Sequence, residues 1–208
     1  TESPCVNITS EDAMYVIYTS GSTGTPKGCV LNYNGVSNYL EWTKEYSRGI
    51  SYSEVDFFSS LSFDFTVTSV FGALTEGKVL RIYDSKEDLS SQLKQIVSNP
   101  ESGWIKLTPA HINLIDAHTL ESARSKVFVL GGEALTEEQI KHLRKNQGCR
   151  IYNEYGPTEA TVGCIVKEIT EDNEPYIGIP IQNTEAYLLD SNHNLVPRGS
   201  IGEICIGG

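Results

Sequence analysis

Apolar positions along the chain fall into two alternating rhythms: short runs rich in β-branched and aromatic residues, and longer stretches with the spacing of a helix face. MYVIY at 14–18 is a run of the first kind, and it stops at a Ser/Thr/Gly cluster, which predicts a buried strand entering a loop. After the loop a helix is expected over 35–47, where Val36, Tyr39, Leu40 and Thr43 share a face and Asn34 is placed to cap the start. FFSSLSF at 57–63 and KVLRIYD at 78–84 read as strands around a helical segment containing Phe71, Gly72, Ala73 and Leu74. Leu89, Leu93, Ile96 and Val97 then line a helical face that Pro100 closes. The alternation continues with a strand WIKLT at 104–108, a short helix around Ile112, Leu114 and Ile115, and a strand KVFVLGG at 126–132. Thr136 with Gln139 forms a capping box for a helix that ends at Gly148, and RIYNEYG at 150–156 returns as a strand. Strands alternating with helices of ~10 residues need crossover connections. The fold class is therefore α/β, a mainly parallel sheet with flanking helices, with ligand-binding groups expected at the carboxyl ends of the strands.

From Ile165 the rhythm changes. IVKEIT, EAYLLD and GEICIGG are short strand-like runs separated by Asn, Pro and Gly with no helical stretch between them, which predicts the start of a β-rich, barrel-like element. The expected organisation is a strand and loop over 1–34, an α/β unit over 35–164 and the β-rich element over 165–208. Neither end reads as the edge of a finished domain, so the chain is expected to be a fragment of something larger.

Composition narrows the partners. Sixteen Lys and Arg against 27 Asp and Glu give a net charge of −11, which argues against nucleic acid or an anionic membrane surface as the main partner. No apolar run approaches the ~20 residues of a membrane span, and TESPCVNITSED has neither the basic start nor the apolar core of a signal peptide, so a cytoplasmic location is expected. Cys5, Cys29, Cys149, Cys164 and Cys205 are odd in number and widely spaced, against a disulfide framework. His111, His118, His142 and His193 form no zinc-binding pattern.

The chemistry-bearing stretch is TSGSTGTPKG at 19–28, which gathers hydroxyls, glycines and a lysine after a strand. Glycines let backbone N–H groups approach an anion, hydroxyls add hydrogen bonds and the lysine supplies charge, a composition suited to phosphate. It is not a Walker A loop, because Pro26 precedes Lys27 and Gly28 follows it. In this order the ten residues resemble the phosphate loop of the adenylate-forming superfamily. Asn153-Glu154-Tyr155-Gly156-Pro157-Thr158-Glu159 resembles its N-x-Y-G-P-T-E motif, and Phe63-Asp64 with the later FGAL and the terminal GEICIGG at 202–208 supply two further blocks in the family's order. Within the superfamily, Asp64 and the complete N-x-Y-G-P-T-E form point to the amino-acid adenylation domains of nonribosomal peptide synthetases. Fatty-acyl and aryl ligases usually differ at both places.

The resemblance implies an enzyme that joins an amino acid to ATP as aminoacyl-AMP with release of pyrophosphate. It then loads the amino acid on the phosphopantetheine thiol of a peptidyl carrier protein among neighbouring synthetase domains. It further implies that Thr19, Ser20, Gly21, Ser22, Thr23, Gly24 and Lys27 hold the β- and γ-phosphates. Thr158 would bond the α-phosphate and Glu159 would ligate Mg²⁺. Tyr155 would stack on adenine, Asn153 would bond its exocyclic amine, and Gly131, Gly132 and Glu133 would line the same pocket. Asp64 would receive the substrate's α-ammonium, because a charged amine leaving water needs a countercharge. Counted from the motifs, the side-chain pocket is lined by Phe65, Thr68, Lys106, Val129, Gly131, Glu154, Val162 and Gly163. Lys106 can donate to a carbonyl and Glu154 can accept from an amide N–H, which together suit asparagine. The alternative is that Lys106 and Glu154 merely pair with each other.

Tyr33 stands where the family often has histidine, and the family's ribose-binding aspartate and C-terminal subdomain lie beyond position 208. The chain alone is therefore expected to be inactive. Two other functions stay open, a non-catalytic nucleotide-binding module of flavodoxin-like form and an acyl-CoA ligase of the same superfamily.

Overall fold

The computed structural model describes residues 6–20, 24–171 and 174–208. Ala13–Ser20 (β1) and Pro26–Asn32 (β2) pair as an antiparallel hairpin in which Ser20 faces Pro26 and Thr19 faces Lys27. A strand thus stands where the sequence predicts the loop's exit into a helix. Pro26 is the first residue of its strand, where a missing N–H costs least. The helix follows as Tyr33–Thr43 (α1), and its cap is Asn32 rather than Asn34: the Asn32 side-chain oxygen accepts the Gly35 N–H at 2.9 Å.

Glu54–Phe57 (β3), Phe65–Thr75 (α2) and Val79–Ile82 (β4) come next, and β3 and β4 are parallel. Only Phe57 of the expected strand FFSSLSF lies in a strand. Its serines bond locally instead, the Ser60 hydroxyl accepting the Ser62 N–H at 3.2 Å, which competes with sheet pairing. Leu89–Ser98 (α3), Trp104–Leu107 (β5), Pro109–Ile112 (α4), Ala117–Ser122 (α5), Val127–Gly131 (β6), Glu137–Leu143 (α6) and Arg150–Tyr155 (β7) follow. β5, β6 and β7 are parallel neighbours, as the helical crossovers require.

The mainly parallel expectation fails after β7. Ile165–Ile169 (β8) pairs antiparallel with β7, Ile179–Pro180 (β9) pairs antiparallel with β8, and the five-stranded sheet is mixed. The segment joining β7 to β8 is too short for the crossover a parallel pair needs, so the chain folds back. IVKEIT therefore completes the central sheet instead of opening a separate element. Glu185–Leu189 (β10) and Glu203–Gly207 (β11) form a two-stranded antiparallel hairpin, and no closed barrel exists among the described residues.

Period-2 alternation sorts the central strands onto two cores. Ile105, Leu107, Phe128, Leu130, Ile151 and Ile169 face Leu93 and Ile96 of α3, Leu120 of α5 and Ile140 and Leu143 of α6. Trp104, Val127, Val129, Tyr152 and Val166 face Val36 and Tyr39 of α1 and Val67 and Ala73 of α2. The sheet is thus the middle of three layers, and parity assigns Lys106 and Glu154 to the α1/α2 side. No helix among the described residues is long and apolar enough to cross a membrane.

Lys126, just before β6, is buried with its ammonium donating to the carbonyls of Asn99 and Ser102. Burial lowers its pKa to about 8, against the attraction of Asp56. Between about 8 and the unfolded value the unfolded chain holds the extra proton, so this lysine adds stability as pH rises through that window. Urea unfolding of wild type and Lys126→Met should therefore show their difference moving in the wild type's favour as pH rises above about 8. A pH-independent difference would contradict it.

Candidate active site

The register sets the site. Lys106 on β5 lies opposite Val129 on β6, and Gly131 lies opposite Glu154 on β7. Lys106 and Glu154 turn to the same face, and their side chains pair at 2.5 Å with 1% and 3% exposure. α2 adds Thr68, whose hydroxyl accepts from Lys106 at 2.7 Å, and Phe65, whose ring centre is 4.8 Å from the ammonium. The lysine's third donor reaches the Tyr39 hydroxyl of α1 at 2.7 Å. All three ammonium donors are thus matched, which a buried charge requires. Burial still lowers the Lys106 pKa, with the Glu154 carboxylate opposing.

Gly163 leaves room for that carboxylate. A Cβ there would sit 2.4 Å from the Glu154 carboxyl carbon, and one at Gly131 would sit 2.9 Å from the Glu154 carbonyl oxygen. Val162 is buried beside them. Of the residues expected to line the pocket, Phe65, Thr68, Lys106, Val129, Gly131, Glu154, Val162 and Gly163 all belong to this region. The cleft beside Lys106, walled by Asp56, Phe58, Phe65 and Thr66, has no room for a water molecule.

Asp64 occupies the position before α2 but makes no capping bond. It is half-buried, and burial raises its pKa against the pull of the Thr158 hydroxyl and of Lys106. Thr158 and Glu159 lie in a 3-10 turn, Thr158–Ala160, directly after the motif's Gly-Pro. Thr161 and Val162 then adopt φ of 60° and 66°, left-handed values that β-branched residues rarely take. This reverses the chain so that the Cys164 N–H reaches the Tyr155 carbonyl at 2.9 Å. Gly156 is pinned inside the reversal, since a Cβ there would meet the Val162 carbonyl oxygen at 2.4 Å.

The hairpin meets this turn. The Cys29 thiol of β2 is pushed up by burial and then by the carboxylates of Glu159 and Asp64. Thr19, Ser20 and Lys27 flank the hairpin's end and Gly24 follows, while Gly21, Ser22 and Thr23 lie outside the described residues. An open cleft of about 620 Å³ runs past Glu159, Thr161, Asn34 and Asn38 to Ile204 of β11. Among the described residues no group of three or more His, Cys, Asp or Glu could hold a metal by itself. An exposed single carboxylate such as Glu159 fits Mg²⁺ all the same, because that ion is commonly held by one or two carboxylates plus substrate phosphates.

Asn153 points away from Glu154. Its side-chain amide donates to the carbonyls of Pro175 and Tyr176 at 3.1 and 2.9 Å. Tyr155 shares its parity and is half-buried. Glu133 beyond Gly132 accepts the Ala110 N–H at 3.1 Å, tying the end of β6 to the start of α4. Sequence reasoning used Tyr39 only as a helix-face residue and passed over Tyr46. Both hydroxyls reach Glu154, and the signal available was that a buried phenol must find a partner.

A model of the AMP-binding enzyme family matches residues 1–208. Tyrocidine synthase 3 of Brevibacillus parabrevis is 40% identical over 208 residues, covering 95% of this chain and 3% of that protein. Bacitracin synthase 3 of Bacillus licheniformis is 35% identical over 208 residues, covering 96% of this chain and 3% of that protein. The fold matches the crystal structure of a holo four-domain nonribosomal peptide synthetase bound to AMP and glycine with a TM-score of 0.83 at 28% identity, over 95% of this chain and 15% of that one. The chain spans only a small part of the length of the relatives it matches.

Proposed function

Because the chain belongs to the AMP-binding enzyme family, we propose that it carries the amino-acid pocket of an adenylation domain in a nonribosomal peptide synthetase and that its substrate is L-asparagine. The observation that carries the reading is the buried Lys106–Glu154 pair beside the half-buried Asp64. Asp64 takes the α-ammonium, Lys106 donates to the side-chain carbonyl and Glu154 accepts from the side-chain N–H₂, replacing the contact the two now make with each other.

The substrate carboxylate oxygen then attacks the α-phosphorus of ATP. A carboxyl-to-phosphorus bond forms, the bond to pyrophosphate breaks and its electron pair leaves on pyrophosphate. Thr158, whose hydroxyl lies beside Asp64, bonds the α-phosphate while Asp64 holds the amine, and their proximity supports a site that orients both reactants together. Lys27 and the hydroxyls of Thr19 and Ser20 at the hairpin's end bind the outer phosphates, joined by Gly21, Ser22, Thr23 and Gly24. Mg²⁺ on Glu159 supplies charge neutralisation when bound. Tyr155, Asn153, Gly132 and Glu133 serve the nucleoside. The activated amino acid passes to a carrier-protein phosphopantetheine, and the setting is cytoplasmic.

The test is ATP–pyrophosphate exchange by the full-length protein with asparagine, aspartate, glutamine or no amino acid. Stimulation chiefly by asparagine is expected. A different preferred amino acid would discard the pocket reading, and no stimulation would favour an acyl ligase or a binding module.

A further inference from the structure

Two residues outside the motif-derived pocket hold the Glu154 carboxylate in place. Tyr39 and Tyr46 are 1% and 0% exposed, the first in α1 and the second in the turn after it. Both phenols donate to Glu154 Oε2, Tyr39 at 3.0 Å and Tyr46 at closer range. The Tyr46 ring also packs against Tyr152, on the same strand as Glu154, with centroids 4.9 Å apart. One arrangement of hydrogens satisfies these contacts: Lys106 donates to Glu154 Oε1, Tyr39 and Thr68; Thr68 donates to Tyr39 at 2.6 Å; and Tyr39 and Tyr46 donate to Glu154 Oε2, Tyr39 lying 3.3 Å from Oε1 as well. Oε2 thus takes the shorter phenol contacts, and Oε1, whose shortest contact is Lys106, is the acceptor a ligand can take over.

We propose that Tyr39 and Tyr46 are specificity-positioning residues: by filling Oε2 with two fixed donors they orient the Glu154 carboxylate with Oε1 presented, so that the site accepts a neutral carboxamide and refuses a carboxylate. This rests on the asparagine reading above. A primary amide brings an N–H for Oε1 and a carbonyl for Lys106, and leaves Oε2 untouched. Aspartate brings no donor, so its carboxylate meets Oε1 with like charge. Removing a phenol takes a fixed donor from Oε2 and lets the carboxylate turn, so the amide of asparagine loses a positioned acceptor.

The experiment is pyrophosphate exchange by the full-length protein, wild type against Tyr46→Phe and Tyr39→Phe, with asparagine and aspartate. The expected result is an asparagine KM raised about tenfold with a smaller change in kcat, and an aspartate-to-asparagine ratio raised about tenfold. In a Glu154→Gln background the same tyrosine changes should leave the ratio unaltered, which a packing role would not predict. Wild-type protein that ignores asparagine would defeat the asparagine reading itself. Wild-type protein that activates asparagine, with both variants keeping its KM and ratio, would overturn the role of the tyrosines alone. Should Tyr46→Phe fail to fold, Tyr39→Phe decides, and failure of both to fold would make the tyrosines structural and overturn the proposal.

Discussion

Lys106→Met is expected to destabilise the protein by about 3–5 kcal/mol, because it leaves the Glu154 carboxylate buried without its countercharge. Met keeps the length and apolar stem, so packing against Phe65 survives and the loss reports charge. Adding Glu154→Gln should return much of it. The glutamine oxygen still accepts from Tyr39 and Tyr46, and no charge is left underground. Urea unfolding of the two single variants and the double variant closes the cycle. If the two costs simply add, the pair is not coupled and the account of the buried charges is wrong.

Asp64→Asn is expected to separate activity from stability. The substrate's ammonium loses the anion that compensates its desolvation, a loss of about 2–5 kcal/mol, or roughly 30-fold to several thousand-fold in amino-acid-dependent exchange. Folding should not suffer. Asp64 caps nothing, and burial raises its pKa, so its ionisation counts against the folded state once pH passes above the unfolded value. At neutral pH the neutral amide should leave thermal stability unchanged or slightly higher. A drop in exchange of less than about tenfold, or a matching drop in melting temperature, would remove Asp64 from the ammonium site.

The alternation of strands and helices was legible because it depends on local spacing. The Thr136/Gln139 capping box lies where its residues predict, with the Gln139 side chain accepting the Thr136 N–H at 3.0 Å. What local spacing does not carry is partnership. IVKEIT reads equally well as a lone strand or as the antiparallel neighbour of β7, and only the short connection decides. Pro26 and Gly28 hid β2 because breaker residues are tolerated at a strand's first position and in a hairpin. At the site, counting from the motifs already groups Lys106 with Glu154. That two tyrosines, one from α1 and one from the turn after it, lie against them depends on how α1 crosses the sheet.

The left-handed pair Thr161–Val162 bears on any attempt to reshape the pocket. In the proposed pocket Val162 would contribute bulk, and with its neighbour it holds a backbone geometry that costs a β-branched residue about 1–3 kcal/mol. Replacing it with glycine would enlarge the pocket and at the same time relax the turn that carries Thr158 and Glu159. A change in substrate preference at this position would therefore arrive bound to a change in turnover, and the two effects would need separate controls before either is assigned to pocket shape.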